Sequence, residues 1–100
     1  MLILDRAVAQ SIADQVAALP GVAGLHAGKF GEIALLYPGQ KVPGLRLTDH
    51  SLEIHISVSY GACQQLDVDM QVLDYLAKTT AQVGATAGLP VDVYIEDIQP

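Results

Sequence analysis

Cysteine, tryptophan and cationic side chains are scarce in this sequence. Cys63 is the single cysteine among 100 residues, so no internal disulfide can form and no cysteine cluster can hold a metal. Lys and Arg number 5 against 11 Asp and Glu, a net charge of −6, and tryptophan is absent. That balance argues against a surface built for nucleic-acid phosphates, which need clustered cations. It argues equally against unaided binding to anionic lipid. No run approaches the ~18 apolar residues of a membrane span. The start, Met1-Leu2-Ile3-Leu4 before Asp5-Arg6, is far short of a signal-peptide core. The expectation is a cytoplasmic protein with no direct membrane insertion. Low-complexity stretches, repeats and linkers are missing too, leaving residues 1–100 as one domain.

What is present is a folding composition, 51% hydrophobic, organised around Ser51–Gly61, SLEIHISVSYG. Leu52, Ile54, Ile56, Val58 and Tyr60 alternate with Ser51, Glu53, His55, Ser57 and Ser59. Period two marks a strand, and the expectation is one buried and one wet face. Leu4, Val8, Ile12, Val16 and Leu19 recur at helical spacing, predicting an amphipathic helix over Leu4–Leu19 that Pro20-Gly21 stops. Val22–Ala27 and Glu32–Tyr37 read as strands of a hairpin around Gly28-Lys29-Phe30-Gly31. Tyr37–Gly44, with two Pro-Gly turns, reads as a loop, and Leu45–Leu47 can begin pairing before the central strand.

A second helix is predicted over Gln65–Val83. Its stripe is Val68, Val72, Leu76, Thr79 and Val83, with Asp67 and Asp69 in the first turn and Gly84 as its stop. The last strand, Val91–Ile98, turns Val91, Val93 and Ile95 inward and Asp92, Tyr94 and Glu96 outward. Helices and sheet each have one apolar side, so the expected fold is α+β, a two-layer sandwich of order α-β-β-β-α-β. Both helices cover one face of a four-stranded mixed sheet.

Several patterns occur in order: Ile12-Ala13, then Leu19-Pro20-Gly21-Val22, then Ile54-x-Ile56-x-Val58-x-Tyr60-Gly61. Met70-Gln71-x-Leu73 and Gly84 follow, then Val91-Asp92-Val93-Tyr94-Ile95-x-Asp97-Ile98. Together they resemble the alkaline-shock protein family of bacterial envelope stress-response proteins, over nearly the whole chain. The resemblance implies a small, cytoplasmic, non-enzymatic protein. It implies partnership with itself or with a membrane-anchored protein at the inner membrane face. Better-known members carry long charged tails and a basic C-terminal extension; here the terminal strand ends almost at Pro100, which reads as a minimal version. The family supplies no catalytic residues to carry over.

The residues themselves make no case for catalysis. Ser57 and Ser59 lack a GxSxG context, and no Walker or dinucleotide glycine pattern is present. Asp67, Gln71 and Asp74 share a helical face with Lys78 beyond, which reads as a solvated face with an Asp–Lys pair. Cys63, before a helix, reads as a small junction residue ahead of a redox-sensing thiol. His26, His50, His55 and Glu53 could converge on a metal, but no spacing forces them together, so no metal or other cofactor is expected. Gly28-x-x-Gly31 matches the GxxG loop of KH domains, which there joins two helices; with Lys29 alone as a cation, nucleic acid is the poorer reading. The expected contact surface is the open sheet face of Glu53, His55, Ser57, Ser59, Tyr94 and Glu96. The alternatives are a KH-like RNA binder and a small-ligand or metal-binding domain.

Overall fold

The computed structural model describes residues 2–59 and 70–99, and side chains of the second helix from Leu73 onward. Tyr60, Gly61, Cys63 and Asp67, with the expected first turn of that helix, lie outside the described residues. Helix α1 (Arg6–Ala17) starts after Asp5 and buries Ala9, Ile12, Ala13 and Val16. Compared with the expected stripe, the buried face is turned toward the alanines, and Val8 is left 38% exposed. Two Cβ-only side chains let the helix lie close to the sheet, and that packing outweighs the larger Val8.

The strands are β1 (Val22–Leu25), β2 (Ala34–Tyr37), β3 (Gln40–Pro43), β4 (Leu45–Leu47), β5 (Leu52–Ser59) and β6 (Val91–Gln99). Helix α2 (Met70–Ala85) precedes β6. The α+β sandwich holds, with five strands before α2 instead of three. Central to it, β5 pairs parallel with β6 along its whole length and antiparallel with both β1 and β4 on its other edge. Leu25 sits opposite Ile56 and Leu45 opposite Ile54, so β1 and β4 run end to end in one direction. Between them His55 is the seam: its C=O accepts from His26 N–H, and its N–H donates to Gly44 C=O, each at 2.8 Å. Gly44 fits there with φ +87°; a Cβ would stand 2.5 Å from Leu25 Cβ.

Two expectations are corrected between the strands of this seam. Residues around Gly28–Gly31 connect β1 to β2, but β1 pairs with β5, not with β2. The hairpin is instead β2–β3, Tyr37 opposite Gln40 around Pro38-Gly39, so the stretch read as a loop is a turn and a strand. Alternation explains why: Val42 is buried between exposed Lys41 and Pro43. Tyr37 OH donates to Leu4 C=O at 2.8 Å, just before α1, and Gln40 links Arg6 to Gln10, which fastens the hairpin to α1 and its lead-in.

Leu52, Ile54, Ile56 and Val58 are fully buried and share one core with Ile12, Val16, Leu45 and Leu76. At roughly 1.5–3 kcal/mol each, burying those four β5 side chains is worth about 6–12 kcal/mol, an upper bound. In α2 the buried threonine is Thr80, beside core residue Leu76, and not the expected Thr79, whose hydroxyl instead donates back to Tyr75 and Leu76 carbonyls. Gly84 does not end the helix, which continues to Ala85. A Cβ there would stand 2.7 Å from Ile54 Cδ1 and 3.1 Å from Val91, so Gly84 is where helix and sheet come closest.

In β6 the successive acids Glu96-Asp97 break the two-residue period. A bulge absorbs the extra residue: Ile56 faces Ile95, but Ser57 faces Asp97 and Val58 faces Ile98. Without it, Asp97 would take the inward position of Val91, Val93 and Ile95.

Candidate functional site: the outer sheet face

The outer face of β5 is not wet, contrary to the alternation-based expectation. Glu53, His55 and Ser57 are 7%, 6% and 2% exposed. Period two tells which side a residue takes but not what covers it. Here the cover comes from the neighbouring strands' own side chains, which lean over the central strand.

His55 is the centre of this cover. Tyr94, opposite it on β6, stacks on the imidazole with ring centroids 4.7 Å apart and planes at 15°. Nε2 lies 3.0 Å from Glu53 Oε1 and Nδ1 lies 2.5 Å from Glu96 Oε1. The bulge places Glu96 between the residues that pair with Ile56 and Ser57. Glu53 Oε1 also meets Arg46 Nε at 3.2 Å, and Arg46 stands opposite Glu53 in the β4–β5 ladder. A chain Arg46–Glu53–His55–Glu96 therefore runs across three strands. Each N···O contact of the ring needs one proton; a neutral imidazole supplies one, and a doubly protonated ring satisfies both.

The expected surface is thus partly assembled and partly not. Glu53, His55, Tyr94 and Glu96 come together. Ser57 is buried beside them, between Gly24 and Asp97, and half-buried Ser59 lies at the end of β5 opposite Gln99. Solvent reaches the cluster through Tyr94, 45% exposed, and through the Arg46 and Glu96 side chains, 50% and 35% exposed. Arg46 was missed by sequence reasoning, although Leu45-Arg46-Leu47 alternates and its cation would need a partner. Two further pairs flank the chain: Ser51 Oγ donates to Asp92 at 2.7 Å, and His26 Nε2 lies 3.9 Å from Asp97.

Around this face, Glu53, Asp92, Glu96 and Asp97 outnumber one Arg, with His26 and His55 beside them. Among the described residues, no group of three or more His, Cys, Asp or Glu side chains is arranged to hold a metal ion. His50 is exposed in the turn before β5, and His26 Nδ1 accepts the Gly28 N–H at 3.0 Å. The Gly28–Gly31 loop sits between two strands and is closed by Glu32, whose carboxylate accepts Phe30 N–H at 2.8 Å. The hydrogen bond from Glu32's own N–H, then that from Phe30, holds this carboxyl below its usual range. No helix among the described residues is long and apolar enough to cross a membrane. Comparison with family models, curated proteins and solved structures finds no match to this chain.

Proposed function

We propose that the protein is a non-enzymatic binding module whose contact surface is the outer sheet face around Tyr94, Arg46 and Glu96. The observation that carries this reading is the state of His55. Both ring nitrogens are engaged by carboxylates and one ring face is stacked by Tyr94, so its chemistry is spent on holding the face rigid. A general base needs a nitrogen free to meet substrate. A rigid surface with an amphipathic aromatic and a half-exposed guanidinium suits recognition, since Tyr and Arg are enriched at binding hot spots. The resemblance to alkaline-shock proteins supports the finer reading, a cytoplasmic envelope stress-response scaffold that partners itself or a membrane-anchored protein.

The test is photocrosslinking in the bacterium of origin, with a benzophenone side chain at Tyr94 and, as control, at Asp14 on the exposed side of α1. Crosslinks confined to position 94, lost when Arg46→Ala is added in a protein of unchanged circular dichroism, support the surface. Recovery with an integral-membrane partner supports the envelope role. Equal crosslinking at both positions, or at Asp14 only, overturns the surface.

A further inference from the structure

The edge of β6 that faces away from β5 gives this surface a mode of recognition. Among the described residues β6 pairs with β5 alone, so one side of a nine-residue strand has no ladder partner. Which groups it presents follows from one hydrogen bond. Leu52 N–H donates to Pro90 C=O at 2.8 Å, so in the parallel ladder residues 90, 92 and 94 turn their backbones toward β5. The N–H and C=O groups of Val91, Val93 and Ile95 therefore point away from the sheet. Side chains alternate along the same stretch, apolar Val91, Val93 and Ile95 to the core side and Asp92 and Tyr94 to the outer side. Proteins guard such edges with Lys, Pro or bulges. Here Lys is absent from the strand, Pro90 lies just before it, and the bulge comes only at Glu96.

Charge decides the occupant. Within β6, Asp92, Glu96 and Asp97 have no Lys or Arg to offset them. A second copy would bring the same three acids and no cation to the shared edge, and in the register centred on Tyr94 it would set Asp92 against Glu96 twice, where directly opposed like charges destabilise a strand pair. Building on the binding reading above, we infer that the β6 edge accepts an extended cationic segment of another protein as an added antiparallel strand. In that segment Lys or Arg alternates with aliphatic residues. Its aliphatic side chains extend the row of Val91, Val93 and Ile95. Its cations lie along Asp92, Asp97 and the exposed ring of Tyr94, where an ammonium or guanidinium is also favoured by the ring's π face.

The experiment is fluorescence anisotropy with a labelled short peptide alternating valine and lysine, titrated with the intact protein. The controls are its valine–glutamate counterpart and a version N-methylated at every second amide, in each of the two registers. Expected are binding of the lysine peptide alone and loss of binding in one N-methyl register. Asp92→Asn and Asp97→Asn should each weaken it about two- to fivefold, as exposed ion pairs do. Equal binding of both N-methylated peptides would overturn strand addition while leaving the outer face as a contact surface. Binding of the glutamate peptide would overturn the charge assignment. No binding of any peptide would overturn the inference, whereas the crosslinks at Tyr94 would still stand or fall on their own. Dimerisation of the protein that the peptide competes away would give the edge to a second copy and overturn the choice of partner.

Discussion

His55 Nδ1 lies 2.5 Å from Glu96 Oε1, across two neighbouring parallel strands. Its partner nitrogen shares Glu53 Oε1 with Arg46, so the two carboxylates are not equivalent. Glu53 is buried and meets two partners, Arg46 and His55; Glu96 is a third exposed and meets one. Glu53→Ala should cost about 1.5–3 kcal/mol, the range for hydrogen bonds to charged groups, because it strands Arg46 and His55 together. Glu96→Ala should cost about 0.5–1.5 kcal/mol after solvent screening. Urea unfolding of the two variants checks this; equal losses would contradict the asymmetric chain.

The close approach at Gly84 makes a compensation testable. Gly84→Ala gains about 0.5–1 kcal/mol of helix propensity but drives a methyl into Ile54 Cδ1, and overpacking costs about 1–3 kcal/mol. The net expectation is destabilisation. Ile54→Val alone should cost about 0.5–1.5 kcal/mol. Because it removes the clashing Cδ1, the double variant should be more stable than the sum of the two losses, measured as a double-mutant cycle.

No such rescue exists at Gly44. An alanine there meets Leu25 Cβ and the His55 carbonyl, near-backbone atoms that cannot rotate away, and adopts a positive φ. Gly44→Ala should cost more than about 2 kcal/mol from strain and overlap together. Leu25→Val should not relieve it, since the contact is with Cβ itself. Thermal denaturation of the three variants decides.

The Gly28–Gly31 loop should be acid-sensitive. Glu32 titrates below its ordinary value in the folded protein, so its contribution is present above the unfolded carboxyl's pKa. It is lost as pH falls through the lower, folded value. An NMR titration should show the Phe30 amide shifting in that acid window and losing protection. In Glu32→Gln the shift should vanish.

Much of the framework was legible because burial on one side imposes a period. Ile54, Ile56 and Val58 on β5, and Val91, Val93 and Ile95 on β6, face the core as their spacing predicts. The cover over His55 was not legible, since Tyr94 lies far along the chain from it and only the parallel register brings the rings together. Burial of Ser57 follows from the same central position of β5, which no local pattern records. The β2–β3 hairpin was obscured because Pro38-Gly39 marks a turn equally well inside a long loop. Asp97 marks another limit: the expected alternation ran through Val91–Ile98, and the bulge that keeps Asp97 level with Ser57 was not foreseen. The α1 stripe erred by one position at Val8 because helix-to-sheet distance, set by Ala9 and Ala13, weighs as much as hydrophobicity.

The end-to-end placement of β1 and β4 means that the edge they form is, geometrically, one interrupted strand. The chain departs at His26 and rejoins at Gly44, both bonded to the backbone of His55. Everything between, hairpin included, is an excursion whose two ends are held a single residue apart by a third. Lengthening it at Pro38-Gly39 leaves every sheet register unchanged and adds only slowly growing loop-closure entropy, about 0.6 kcal/mol per doubling. That turn is therefore the natural place to graft a second module onto this domain, on a support fastened to α1 by Gln40 and to the residue leading into it by Tyr37.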